Sequence, residues 1–277
     1  MHSGSAHSPT RLTDRLIDAV VTGFRPLSFR GKAALIEFLI PRNGELEARI
    51  FGSRFSLDTS DYLQRHIYGG SFEREETGIV RRTLRPGMTF VDVGANVGYY
   101  TALAAQLVGP SGSVFAFEPS DYAYSRLQRM IDQNNLTQAR AIKCALADSA
   151  GDRFLYGGAV DEAFSDLRTA TMVPSDNTRK ALVRTETLDA MAERYDIRHI
   201  DFLKIDVDGF EPLVLQGADR LISEGRISNI MLEFAEYWYR RMSVSAADLV
   251  ERMRNKNFTS ATQIGRSNEF CTYLFRR

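Results

Sequence analysis

Apolar residues recur along this chain at helical spacing in some stretches and in short unbroken or alternating runs in others. From Arg11 to Thr22, Leu12, Leu16, Ile17, Val20 and Val21 share one helical face. A second helical segment runs from Gly31 to Ile40, where Pro41 stops it. Glu47–Asp58 alternates around Gly52-Ser53, which predicts a hairpin. Residues 1–10 are small and polar and predict a disordered tail. Residues 1–75 therefore predict an N-terminal extension of tail, helices and hairpin.

After Pro86-Gly87 the pattern becomes strand, helix, strand, helix. Strands are expected at Thr89–Val93, Ser113–Phe117, Ala139–Cys144, Asp201–Asp206 and Ser228–Phe234. Helices are expected at Tyr99–Val108, closed by Gly109-Pro110, and from the Ser120 cap to about Asn134. Others are expected at Glu186–Tyr195, from Pro212 onward, and at Ala246–Asn255. Phe258–Ile264 and Phe270–Phe275 read as a closing strand pair, while residues 145–182 interrupt the rhythm with a long polar stretch. Alternating units of this length predict an α/β domain over 76–277, a doubly wound, mostly parallel sheet with helices on both faces.

Composition narrows the choice of function. Thirty-five Lys+Arg balance 35 Asp+Glu, which argues against a dedicated nucleic-acid binder. Two cysteines, Cys144 and Cys271, make neither a disulfide scaffold nor CxxC zinc spacing, so a reducing cytoplasm is the expected setting. No apolar run reaches the roughly 18 residues of a membrane span. Met1–Arg15 lacks the apolar core of a secretory signal.

In a doubly wound sheet, ligands bind beyond the carboxyl ends of the strands. The first strand is followed by Asp92-Val93-Gly94-Ala95-Asn96-Val97-Gly98. This is GxxxG and lacks the middle glycine of the dinucleotide fingerprint. A carboxylate two residues before the first glycine repels a pyrophosphate and suits an ammonium group. Glu118, at the end of the second strand, is placed to accept hydrogen bonds from ribose hydroxyls. One carboxylate for an ammonium and one for a ribose describe S-adenosylmethionine.

The stretches PGMTFVDVGANVGYYTALAA, VFAFEPS, ALAD and LKIDVDGFEPLVLQGA resemble the FkbM family of S-adenosylmethionine-dependent methyltransferases, as do IYGGSFE (Ile67–Glu73) and ETLDAM (Glu186–Met191). The resemblance covers about residues 46 to 234. It implies a class I methyltransferase fold, a Rossmann-like seven-stranded sheet with the last strand antiparallel, and an O-methyltransferase acting on sugar or macrolide hydroxyls. Asp208 departs from the glutamate expected after KIDV. The resemblance further implies that Gly94, Ala95, Asn96 and Gly98 cradle the methionine part of the cofactor. Tyr100 and Thr101 lie within reach of it, and Glu118 takes the ribose. Ala147 and Asp148 belong where the adenine is held, and Tyr68 and Glu73 close the site.

Methyl transfer to oxygen is an in-line displacement aided by a general base. Asp206 and Glu233 follow the fourth and fifth strands and are the candidate bases. Alternation puts Lys204 on the face of Asp206, where it either binds substrate or neutralises the carboxylate. No metal is expected. Asp206-Val207-Asp208 also reads as DxD, a metal and nucleotide-sugar motif, so a glycosyltransferase is the rival enzyme; it leaves Asp92 and Glu118 unexplained. A nicotinamide-dependent dehydrogenase is weakened by the missing glycine. A binding module built on residues 11–42, with six basic and three acidic side chains, is a further alternative to a helical cap that packs on the sheet or on another subunit. The expected partner is a small-molecule or glycan hydroxyl acceptor. The stretch from Gly157-Gly158 through Lys180, with Asp161, Glu162, Phe164 and Asp166, is expected to be a hinged lid that sets specificity.

Overall fold

The structure is a computed structural model and describes residues 19–42, 44–159, 170–171, 178–235, 245–266 and 270–277. It divides into two compact units: residues 1–50 with 54–74, and residues 51–53 with 75–277.

In the first unit, residues 19–24 are helical, followed by α1 (Lys32–Leu39), β1 (Glu45–Ile50), β2 (Ser53–Asp58) and α2 (Tyr62–Gly69). The turn between β1 and β2 is Phe51-Gly52, one residue earlier than expected. Both turn residues have positive φ, 52° and 80°, as tight hairpin turns require. Ile36, Ile40, Phe55, Leu57, Ile67 and Tyr68 form the interior. Lys32 is buried and donates to the carbonyls of Arg25, Leu27 and Gly70 at 2.7, 3.0 and 2.9 Å, and burial lowers its pKa to about 8. His66 is not the surface residue its polarity suggests. It is buried, 2.6 Å from Ser71 Oγ and 3.2 Å from Glu37.

The second unit is built on a seven-stranded sheet. Its elements are α3 (Arg74–Thr83), β3 (Thr89–Val93), α4 (Tyr99–Val108), β4 (Ser113–Phe117), α5 (Asp121–Gln133) and β5 (Ala139–Ile142). After an interruption come α6 (Leu188–Arg194), β10 (Ile200–Ile205), α7 (Glu211–Gly217), α8 (Asp219–Ser223), β11 (Ile227–Ala235), α9 (Ala246–Asn255), β12 (Ser260–Arg266) and β13 (Phe270–Arg276). The strand order is β12-β13-β11-β10-β3-β4-β5. Contacts from β11 through β10, β3 and β4 to β5 are parallel, and β13 is antiparallel to both neighbours. This is the class I methyltransferase order, with its point of reversal between β3 and β10. The central parallel strands β3 and β10 are buried on both faces, which is why they read as apolar runs. Val91, Val93, Phe117, Leu203, Ile205 and Leu232 belong to one continuous core.

The described residues of the polar stretch at 145–182 are largely strand. The stretch holds β6 (Ala145–Leu146), β7 (Gly151–Ala159), β8 (Ala170–Thr171) and β9 (Thr178–Glu186), a second sheet in the order β6-β9-β7-β8. Gly157-Gly158 lies inside β7, with Gly157 paired with Arg179 and a register shift between Gly157 and Ala159. Asp161, Glu162, Phe164 and Asp166 lie outside the described residues. Leu155 packs with Ala145, Ala147 and Phe210 on the inner face, while Phe154 and Leu182, opposite each other in register, face outward.

Candidate active site

The carboxyl ends of β3, β4, β10 and β11 converge on a group of acidic side chains. Asp92, in β3, is 1% exposed. Its Oδ2 accepts the Thr101 hydroxyl at 2.7 Å, and its Oδ1 is equally buried with no partner. Burial raises its pKa, against the pull of Lys204, which lies beside it in register on β10. Thr101 is fully buried and donates its hydroxyl to Asp92, so it orients that carboxylate.

The turn after β3 requires glycine for two different reasons. Gly94 has φ 78°, and a Cβ there would collide with the carbonyl oxygen of Asp206. Gly98, φ 91°, starts α4, and a Cβ there would lie 2.6 Å from Met130 and 2.9 Å from Leu127. Between them Ala95 is buried and Asn96 is left-handed, φ 48°. Glu118 is 6% exposed and closes this turn from β4. Its Oε2 accepts the Asn96 amide at 2.8 Å and its Oε1 the Ser120 amide at 2.9 Å. Burial outweighs these bonds and pushes its pKa up to about 7.

At the end of β10, Lys204 is buried, donates to Asp206 Oδ2 at 2.8 Å and sits 4.8 Å above the ring of Tyr100. The lysine thus takes the ion-pair role of the two foreseen. Tyr100 is 3% exposed. The Asp206 side chain is 24% exposed against 6% for Lys204, so the carboxylate is the accessible half of the pair. Asp206 also shares a side-chain hydrogen bond with Glu233; burial alone would raise its pKa, but Lys204 and these bonds hold it below the usual carboxylate range. β10 ends at Ile205, and Asp208 lies in a turn with φ 49°. Asp206 and Asp208 therefore do not share a strand face, which removes the alternation argument for a DxD metal site. Among the described residues no three His, Cys, Asp or Glu side chains are grouped to hold a metal ion. Burial and the charge of Asp206 push Asp208 to about 7.

Glu211 was not foreseen. It is 1% exposed, its Oε1 accepts the amides of Val207 and Gly209, and its Oε2 is buried without a partner. Burial pushes it up to about 7. In the sequence it reads as an ordinary first-turn acid ahead of Pro212; its place directly after the KIDVDG stretch was the available signal.

Two foreseen positions are engaged within the protein. The Ala147 amide donates to Glu186 O at 2.9 Å, and Asp148 pairs with Arg153. Tyr68 and Glu73 belong to the first unit, where Tyr68 is fully buried under Arg25, whose guanidinium lies 5.1 Å from its ring.

The donor set fits S-adenosylmethionine. An unpartnered carboxylate oxygen at Asp92 suits an ammonium group. Each Glu118 oxygen has one amide and a second lone pair for a ribose hydroxyl.

Comparison with known proteins gives a family match. Residues 92–260 match the model of the methyltransferase FkbM domain. The chain is 28% identical over 161 residues to the methyltransferase sdnD of Sordaria araneosa, covering 47% of this chain and 60% of that protein. It is 29% identical over 164 residues to the 31-O-demethyl-FK506 methyltransferase FkbM of Streptomyces tacrolimicus, covering 49% and 61%. The matches thus span about three fifths of these relatives. Among solved structures, the methyltransferase FkbM of Methylobacillus flagellatus KT is 16% identical with TM-score 0.47, covering 93% of this chain and 60% of that one. With the family model matching from the Asp92 carboxylate through the last helix and into β12, this chain belongs to the FkbM methyltransferase domain family.

Proposed function

We propose that this chain is an S-adenosylmethionine-dependent O-methyltransferase whose acceptor is a hydroxyl of a glycan or polyketide-type molecule. The observation that carries the reading is the Asp92 carboxylate. It is buried, oriented by Thr101 and left with one oxygen unpartnered beside a glycine turn. A buried ionised oxygen without a partner is costly, and an ammonium group would satisfy it. Asp92 would hold the ammonium, the Gly94–Gly98 turn the methionine chain, and Glu118 the ribose. The cofactor supplies a methyl group on a positively charged sulfur.

The remaining residues handle the acceptor's proton. A hydrogen bond between two carboxyl groups contains one proton, and Lys204 favours the negative charge on Asp206. Glu233 then carries that proton and donates to Asp206. Asp206, the more exposed partner of the Lys204 ion pair, accepts the hydroxyl hydrogen and takes the proton as the new C–O bond forms. Lys204 fixes its orientation. Its lowered basicity makes it a modest base, so alignment of the acceptor supplies much of the rate. β7 and β9 flank this loop through Leu155 and Phe210, which supports a role for the second sheet in acceptor choice. The name of the Streptomyces relative, a 31-O-demethyl-FK506 methyltransferase, supports an oxygen acceptor.

The test is titration calorimetry with S-adenosylhomocysteine, followed by transfer of labelled methyl to a panel of macrolides and glycosides with free hydroxyls. Binding together with label in ether linkage supports the proposal. Absence of binding defeats the cofactor assignment, and label found only on nitrogen defeats the acceptor class.

A further inference from the structure

The acidic side chain of Glu211 lies one residue before a helix-starting proline, where an exposed acid would serve. It is instead 1% exposed and turned back onto the loop that precedes it. Its Oε1 accepts the Val207 amide at 3.0 Å and the Gly209 amide at 3.2 Å. The Val207 N–H and the Asp206 carbonyl are the two ends of one peptide unit. The carbonyl end lies against Gly94 so closely that a Cβ there would collide with it. On the near side, the Asp206 amide donates to Val93 O at 3.0 Å. The preceding peptide is thus tied to β3, and the Asp206–Val207 peptide is held between the glycine turn and a buried carboxylate.

This contact has a mechanical consequence. Peptides are planar, so the direction of the Val207 N–H sets the direction of the Asp206 carbonyl. A buried N–H deprived of its acceptor is costly enough for the peptide to rotate toward another partner. Rotation moves the carbonyl off its place against Gly94, and the same movement shifts the backbone from which the Asp206 side chain extends. Packed interiors transmit such shifts because they contain no free space to absorb them.

We propose that Glu211 is a positioning residue of the active site, which fixes the Asp206–Val207 peptide and through it both the Gly94 turn and the Asp206 carboxylate. This rests on the reading of that turn as the cofactor cradle. One accepting oxygen performs the role, so glutamine, with a carbonyl in the same place, preserves it, while alanine abolishes it.

The experiment uses the full chain, S-adenosylhomocysteine as the probe in calorimetry, and amide hydrogen exchange at Val207 and Gly209 read by NMR. In wild-type protein and in Glu211→Gln the two amides are protected, and affinity agrees within about threefold, less than the loss of one buried hydrogen bond. In Glu211→Ala both amides exchange faster, and affinity falls roughly tenfold or more, the scale of a lost buried partner. In a Gly94→Ala background, where the same peptide is already displaced, Glu211→Ala adds less than about threefold, since contacting sites are not additive. If the alanine variant does not fold, Glu211→Asp, which withdraws the oxygen by one methylene, shows the same loss. Wild-type-like affinity in Glu211→Ala or Glu211→Asp overturns the proposal. So does Glu211→Gln as weak as alanine, or full multiplication of the two effects. Wild-type protein that binds no S-adenosylhomocysteine overturns the cofactor reading, and this proposal with it.

Discussion

Buried carboxylates in the second unit are held in two opposite ways. Glu186, at the end of β9, is 4% exposed and faces two guanidinium groups, Arg184 at 2.8 Å and Arg194 at 3.5 Å. At the carboxyl ends of the parallel strands Asp92, Glu118 and Glu211 are buried, and among the described residues the nearby Lys204 bonds instead the part-exposed Asp206. The buried acid of the second sheet is neutralised by Arg184 of β9 and Arg194 of α6. The first sheet leaves negative charge in a desolvated place, at a cost the fold does not recover internally. Such an imbalance suits a cationic ligand, and it separates a structural carboxylate from a binding one better than burial does.

The largest expected effect breaks this comparison at Asp92. Asp92→Asn, close in shape, should lower S-adenosylmethionine affinity about a hundredfold by calorimetry, roughly the 3 kcal/mol of a buried charge partner. Loss of less than about threefold would mean that the surplus charge serves something other than this cofactor.

The second effect divides Asp206 from Glu233, which the sequence treats as equal candidates. If Glu233 holds the shared proton, Glu233→Gln keeps a donor toward Asp206 and turnover changes by less than about fivefold. Asp206→Asn removes the acceptor and the lysine's partner and should lower turnover about a hundredfold, the usual scale for a positioned base. Equal losses in single-turnover rates would show that the proton is not distributed in this way.

The third effect is in pH. Burial holds Glu118 at about 7, above the roughly 4.3 of an unfolded glutamate. Its ionised form accepts ribose hydroxyls better, so S-adenosylhomocysteine affinity should rise from pH 6 to pH 8. Stability runs the other way. A carboxyl with a raised folded value stabilises fully below the unfolded value, and that contribution is lost as pH rises to about 7. Glu211 and Asp208, also at about 7, add to the same slope. The ligand-free protein should therefore melt at higher temperature at pH 5.5 than at pH 8, while the ligand-induced rise in Tm should be larger at pH 8. The same pH trend in both would contradict the burial of these groups.

The first sheet was legible for the reason that makes it a core. Thr89–Val93, Ser113–Phe117 and Tyr99–Val108 appear with the expected bounds because doubly buried strands are apolar throughout and Gly109 stops the helix. The second sheet was not legible. Strand β7 pairs with β9 across an intervening stretch, and Asp152 and Arg153 in β7 and Arg179, Lys180 and Arg184 in β9 stand beside apolar residues, so local pattern reads them as loop. Helices α2 and α3 were missed because their compositions are largely polar. In the site, residue type and spacing pointed to Asp92 and Glu118. Which donors each one accepts depends on side-chain directions, and so neither the Thr101 bond to Asp92 nor the place of Glu211 is legible in the sequence.

The smallest expected effect closes the comparison from its other side. Glu186→Gln removes the charge that faces Arg184 and Arg194, whose side chains are 66% and 54% exposed and regain water when released. The glutamine stays within reach of a guanidinium, so no buried group is stranded. The Glu186 carbonyl, which receives the Ala147 amide, is untouched by the change. Tm should fall by a few degrees at most, as expected for a modest loss in a domain of this size. Affinity for S-adenosylmethionine should stay within about twofold, a fraction of 1 kcal/mol. A loss like that of Asp92→Asn would place Glu186 among the binding carboxylates and erase the distinction between the two sheets.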